Sequence, residues 1–144
     1  SHGLGIDISK KAISIAKKNK EKINKKLNLS FYVHDFFTID TNEFDIIICN
    51  PPYVPREEFN KIQDEVISFE PHTALFSQYG TKDCYQKIIT NIKITNKKTC
   101  HVFFEIDYRD DKMIAKILKD NDFSVLAIEN DLSNRPRCIV AKMN

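Results

Sequence analysis

From Phe44 to Cys49 the chain reads Phe-Asp-Ile-Ile-Ile-Cys and then breaks on Asn50-Pro51-Pro52. A nearly continuous apolar run of this length is the pattern of a strand covered on both faces, as in a parallel sheet. Pro51, Pro52 and Pro55 fix φ and remove backbone donors, so Asn50–Pro55 is neither helix nor central strand. Around this run, short β-type segments alternate with helical patterns. Leu4–Ile8 is an apolar strand interrupted by the acid Asp7, and Ser9 is placed to cap the helix behind it. Ala12, Ile13, Ala16, Ile23 and Leu27 keep helical spacing there, with lysines between them. Phe31–Val33 is a second strand, closing on His34-Asp35. Arg56–Thr81 reads as a long loop with room for one short helix, and a stretch of that kind is usually functional or mobile. Tyr85, Ile88, Ile89 and Ile92 mark a helix, His101–Ile106 a strand, and Met113, Ile114, Ile117 and Leu118 another helix. Phe123–Ile128 and Cys138–Met143 are strands with no helix between them, which predicts an antiparallel pair. The order β-α-β-β-loop-α-β-α-β-β predicts an α/β fold with a mostly parallel sheet.

Composition narrows the function classes. The 144 residues suit one domain, with Ser1-His2 set aside as the remnant of a purification tag. A net charge of +2 is too mild to argue for a nucleic-acid partner, and the lysines between Lys10 and Lys26 suit a solvated helix face. No apolar run approaches the ~20 residues of a membrane span. Cys49, Cys84, Cys100 and Cys138 have no metal-knuckle spacing. Cys49, Cys100 and Cys138 lie in or beside apolar runs, as buried free thiols would, which favours a reducing, cytoplasmic (or organellar) setting. His34, His72 and His101 have no ligand-like spacing, so no metal is expected.

The chemistry gathers at Asn50-Pro51-Pro52-Tyr53. In parallel α/β sheets ligands bind beyond the carboxyl ends of the strands, which is where Asn50 falls. The proline carbonyls lack ladder partners, Asn50 adds a side-chain acceptor, and Tyr53 offers a flat aromatic wall. Two acceptors and a ring suit a planar NH₂ group held for methylation. The alternative is a proline-rich strand exit with an incidental asparagine.

On these residues the sequence resembles the HemK/PrmC-type protein-glutamine N5-methyltransferases, which have the class I S-adenosylmethionine-dependent (Rossmann-like) fold. The resemblance covers nearly the whole chain: Gly5-Ile6-Asp7-Ile8-Ser9 with Ala12 and Ala16, His34-Asp35-Phe36-Phe37, Phe44 through Tyr53, Phe69-Glu70-Pro71 with Ala74-Leu75-Phe76, Phe104-Glu105-Ile106, and Asn134-Arg135-Pro136-Arg137. It implies S-adenosylmethionine as cofactor, with Asp7 on the ribose hydroxyls, Asp35 on the adenine amine, Phe36 over the ring, and Asn50 beside it. It implies catalysis and substrate binding by Asn50, Pro51, Pro52 and Tyr53, and a peptide chain release factor as protein substrate. Read without the family, Asp7 is as easily an N-cap, Asp35 a turn residue, and Arg135 and Arg137 solvated surface charges.

The chain departs from the family in three places. Gly5 follows no strand and glycine-rich loop, a single Gly80 stands near Ser77-Gln78-Tyr79, and Asp107 occupies a position where glycine is common. The expectation is therefore a partial catalytic domain over 1–144, lacking the first strand and its loop. The two strands flanking that gap should pair directly or be bridged by a second copy, because unpaired edges invite association. Two other functions compete: methylation of an exocyclic amine on a DNA or RNA base, and a folded module that binds a partner without catalysis.

Overall fold

A computed structural model of the chain describes residues 1–51 and 80–144. They form two compact units, Ser1–Ile39 and Asp40–Asn144.

The first unit is a β-α-β hand. Strand β1 (Gly3–Asp7) pairs in parallel with β2 (Leu29–Val33), and α1 (Lys10–Ile23) connects them. Ser9 starts the helix: its Oγ accepts from the Ala12 N–H at 3.2 Å, and its own N–H donates to Asp7 Oδ1 at 2.7 Å. The helix stops at Ile23, with the Asn24 N–H closing on the Lys20 carbonyl. Leu27 therefore lies outside the helix it was assigned to, and Ile23 and Leu27 are exposed; only Ile13 of that stripe is buried. Gly5 faces Phe31 across the ladder so closely that a Cβ there would meet the ring at 2.6 Å. A short 3₁₀ turn, Phe36–Thr38, follows β2.

The second unit is a four-stranded sheet in the order β3-β4-β6-β5. Its strands are β3 (Ile46–Cys49), β4 (His101–Glu105), β5 (Phe123–Asn130) and β6 (Pro136–Met143). β3 and β4 are parallel, and β6 runs antiparallel to both β4 and β5. The predicted final antiparallel pair is present, with a bulge between Val125 and Ala127. Helices α2 (Thr81–Thr95) and α3 (Asp111–Asp120) supply the core from Cys84, Tyr85, Ile88, Ile89, Ile92, Ile114, Ile117 and Leu118. The sheet answers with Val102, Phe104, Phe123, Ile139, Ala141 and Met143. Each fully buried isoleucine or phenylalanine contributes roughly 1.5–3 kcal/mol.

One expectation is corrected here. Among the described residues the Phe44–Cys49 run is not covered on both faces: Ile47 is buried, whereas Ile46 and Ile48 are exposed, Ile48 by 80%. The ordered strand is also shorter than the run, because Thr41 through Asp45 are spent on an anchored approach. Among the described residues β1 bonds to β2 and β3 to β4, so these strands belong to two sheets.

Candidate functional site

In the first unit, the carboxyl ends of two neighbouring parallel strands carry Asp7 and Asp35. The His34 N–H donates to the Asp7 carbonyl at 3.1 Å, extending the ladder one step past β2. Asp7 Oδ1 accepts from Ser9, and Asp35 Oδ1 accepts from the Phe37 N–H at 2.9 Å as the cap of the 3₁₀ turn. Both acids are exposed. Ser9, not Asp7, caps α1; Asp7 holds the turn before that helix and Asp35 caps the 3₁₀ turn, and each uses one oxygen. A carboxylate has two oxygens and about four lone-pair sites, so each acid retains capacity for a hydroxyl or amine donor. Phe36 stands half-buried beside Asp35. Two carboxylate acceptors and an aromatic ring suit a ribose and an adenine.

In the second unit, Asn50 leaves the end of β3 exposed, and among the described residues its side chain makes no hydrogen bond. Pro51 behind it is buried. Pro52 and Tyr53 lie outside the described residues, as do Phe69-Glu70-Pro71, Ala74-Leu75-Phe76 and most of the predicted loop.

What anchors the approach to β3, the strand that leads to Asn50, is a polar cluster not singled out from sequence. Asn96, at the end of α2, is 3% exposed. Its Nδ2 donates to the carbonyls of Thr41 (2.9 Å) and Phe44 (3.2 Å), and its Oδ1 accepts from the Lys98 N–H (3.0 Å). The Thr41 and Thr95 hydroxyls meet at 2.7 Å. Together these bonds tie the approach to β3 onto the helix and fix where the strand begins. An asparagine just past a helical stripe has the look of a C-cap, and no pattern in the chain pairs it with Thr41.

Beneath the same end of the sheet, the fully buried Tyr85 donates its hydroxyl to the Glu105 carbonyl at 2.6 Å and sets its ring edge-on to Phe104. Burial, with smaller contributions from Cys49 and Cys84, pushes its phenol far up, so it stays protonated. Burial and Cys84 push the Cys49 thiol up to about 12. All four cysteines are free. Cys84 and Cys100 are buried, whereas Cys49 and Cys138 are only half-buried, so the expected thiol burial holds fully for Cys100 alone of the three assigned. These thiols are neutral packing groups, with no nucleophile among them.

Past β4, the Asp107 carboxylate takes a two-pronged ion pair from Arg109 (Nε at 2.9 Å, Nη2 at 2.8 Å). That hydrogen bonding outweighs partial burial and holds the carboxyl below the usual range. Arg137 is not simply solvated. It reaches the Ile106 carbonyl at 3.3 Å and Asp131 at 3.4 Å. Arg135 is exposed.

The parallel β3–β4 pair, the antiparallel β6 beside it, and acids at parallel strand ends are features of the class I S-adenosylmethionine-dependent methyltransferase fold. The solved magnesium protoporphyrin IX methyltransferase of Synechocystis, which holds the cofactor, matches all of this chain over 60% of its own, at a TM-score of 0.64 and 17% identity. Residues 1–125 match the methyltransferase domain family, and the chain belongs to that family. Among curated relatives, the chain is 36% identical to the release factor glutamine methyltransferase of Fusobacterium nucleatum over 96% of its length. It is 32% identical to the enzyme of that name from Lactococcus lactis over 94%. It spans 39% and 50% of those two relatives. Among the described residues no helix is long and apolar enough to cross a membrane.

Proposed function

We propose that the chain is the part of an S-adenosylmethionine-dependent methyltransferase that methylates a glutamine side-chain amide, in a cytoplasmic peptide chain release factor. The observation that carries this reading is Asn50, exposed and free of described partners at the end of a parallel strand in a methyltransferase fold. The cofactor, when bound, supplies an electrophilic methyl on a sulfonium. Asp7 would hold the ribose hydroxyls, Asp35 the adenine amine and Phe36 the face of the ring.

An amide nitrogen is a weak nucleophile, because its lone pair is delocalised into the carbonyl. Asn50 Oδ1 and a proline carbonyl from Pro51 or Pro52 would accept its two N–H bonds, and Tyr53 would cover its plane. That arrangement aims the lone pair and stabilises positive charge on nitrogen as the new N–C bond forms. The proton becomes acidic only after transfer and leaves to water, so no strong base is required. In-line positioning alone can lower such a barrier by several kcal/mol, out of the roughly 7–11 available from proximity.

Transfer of a labelled methyl to release factor against transfer to nucleic acid tests the substrate. Label on a base amine would favour the alternative reading. Absence of S-adenosylmethionine binding by calorimetry would favour a non-catalytic module. Among the described residues one edge of β1 and one edge of β3 carry no partner strand, which supports, as part of this reading, self-association through strand pairing; sedimentation as a strict monomer at high concentration would exclude it.

A further inference from the structure

The β5–β6 hairpin projects from the same end of the sheet as Asn50. The register fixes this: Cys49 is level with Phe104, Glu105 with Cys138, and the Ile106 N–H donates to the Arg137 carbonyl. The backbones of Asn50 and Arg137 are therefore two strand spacings apart, about 10 Å.

The hairpin tip is built rather than loose. Asp131 Oδ1 accepts from the Ser133 N–H (2.9 Å) and the Arg135 N–H (3.1 Å), and the Asp131 N–H donates to the Arg135 carbonyl (2.8 Å). Asn134 takes the left-handed turn at φ 59, and its Oδ1 accepts from Asn130 Nδ2. This turn holds Leu132 wholly in solvent, at 109% relative exposure. Beside it, the Arg135 guanidinium lies over the Tyr108 ring at 5.1 Å. Asp107 engages Arg109, and Asp131 engages Arg137, but among the described residues no carboxylate pairs with Arg135. A guanidinium stacked on a ring keeps its planar N–H fork available at its edge and loses little freedom when it binds.

We propose that Leu132 and the Tyr108–Arg135 stack form a docking surface for the polypeptide substrate, with Arg135 taking an acidic side chain near the target glutamine and Leu132 an apolar one. This rests on the reading of a protein substrate given above. One uncommitted cation beside an exposed leucine matches an amphipathic polypeptide. A phosphate backbone calls for a row of free cations and has no use for the leucine.

The test titrates the full chain into a fluorescently labelled bacterial peptide chain release factor and, separately, into a labelled RNA hairpin. Arg135→Gln should weaken release-factor binding roughly tenfold and flatten its salt dependence, as loss of one charge-assisted pair requires. Leu132→Ser should weaken it several-fold. Tyr108→Phe keeps the ring and should bind as the parent, while Tyr108→Ala should fall toward Arg135→Gln. Thermal midpoints within a degree or two of the parent would show that the exposed substitutions leave the fold intact. Parent-like release-factor binding by both Arg135→Gln and Leu132→Ser overturns the proposal, as does no saturable binding by the parent, or an Arg135→Gln loss confined to RNA. Arg135-dependent binding without methyl on glutamine would sink the glutamine reading and leave the docking surface standing.

Discussion

Asn96→Ala is the substitution that most directly probes how the fold holds its candidate site. The side chain is buried and makes three hydrogen bonds, two as donor to the Thr41 and Phe44 carbonyls and one as acceptor from Lys98 N–H. Truncation takes that donor from both carbonyls, although the Thr41 carbonyl keeps the Phe44 N–H at 3.1 Å and the Phe44 carbonyl is only part-buried. A buried polar group left unsatisfied costs about 1–3 kcal/mol. The Lys98 amide is only part-buried and can turn to water, so the expected loss is about 1–3 kcal/mol. At about 3 °C per kcal/mol for a chain of this size, the unfolding midpoint should drop by about 3–9 °C. Asn96→Asp separates shape from hydrogen bonding. It keeps the size and the acceptor, loses both donors, and sets a carboxylate against two carbonyl oxygens. At pH 7 it should be less stable than Asn96→Ala. The sign of its pH dependence follows: burial raises the folded carboxyl above its unfolded value near ~3.9, so stability falls as pH rises through that interval. Lowering the pH from 7 toward 4 should therefore close the gap between the two variants. Chemical denaturation followed by circular dichroism gives the free energies. Hydrogen exchange at Ile46–Cys49 should accelerate alongside. A loss below about 1 kcal/mol in Asn96→Ala, or Asn96→Asp equal to it at every pH, would refute the anchor.

Gly80 caps α2 with φ 75 and ψ 160, a region open essentially to glycine alone, so Gly80→Ala should cost about 1–3 kcal/mol by denaturant titration although a Cβ there meets nothing within 4 Å. Gly5→Ala should cost a similar ~1–3 kcal/mol by a different route, overpacking against Phe31, and Phe31→Leu should relieve it. With the Cys49 thiol near 12, iodoacetamide at pH 8 should leave Cys49 unmodified in the native protein and label it readily in denaturant; fast native labelling would contradict its neutral packing role. The depressed Asp107 carboxyl stabilises the fold above the ordinary carboxylate range, and that contribution disappears as pH falls through its folded value. The stability gap between the parent and Asp107→Asn should thus shrink on acidification below pH ~4, measured by thermal melts.

The element order was legible because each segment carries its own periodicity. Ile88, Ile89 and Ile92 announce a helix, and Val102 and Phe104 alternate as a half-buried strand does. What periodicity does not encode is what lies on the other side of a strand. The Ile46-Ile47-Ile48 run reads as buried on both faces, yet only Ile47 meets a core in the described structure. Nor does it encode lateral order, so β6 entering between β4 and β5 emerges only from pairing. Helix length was overread at Leu27, where the spacing continues by chance after Asn24 has closed the helix. The sequence places Asp7, Asp35 and Asn50 at or just past strand ends, and the structure has them there; the roles proposed for them rest on the family resemblance. The Asn96 anchor and the Tyr108–Arg135 stack were not legible, because their partners are 55 and 27 positions away and no local pattern joins them.

The central claim is tested most directly by mapping the acceptor atom. The chain is incubated with release factor and S-adenosylmethionine carrying a labelled methyl, and the product is digested and sequenced by mass spectrometry. The account predicts one methyl on a glutamine side-chain nitrogen, lost with Asn50→Ala and reduced with Asp7→Ala. Label on any other atom, or transfer that survives Asn50→Ala unchanged, would contradict it.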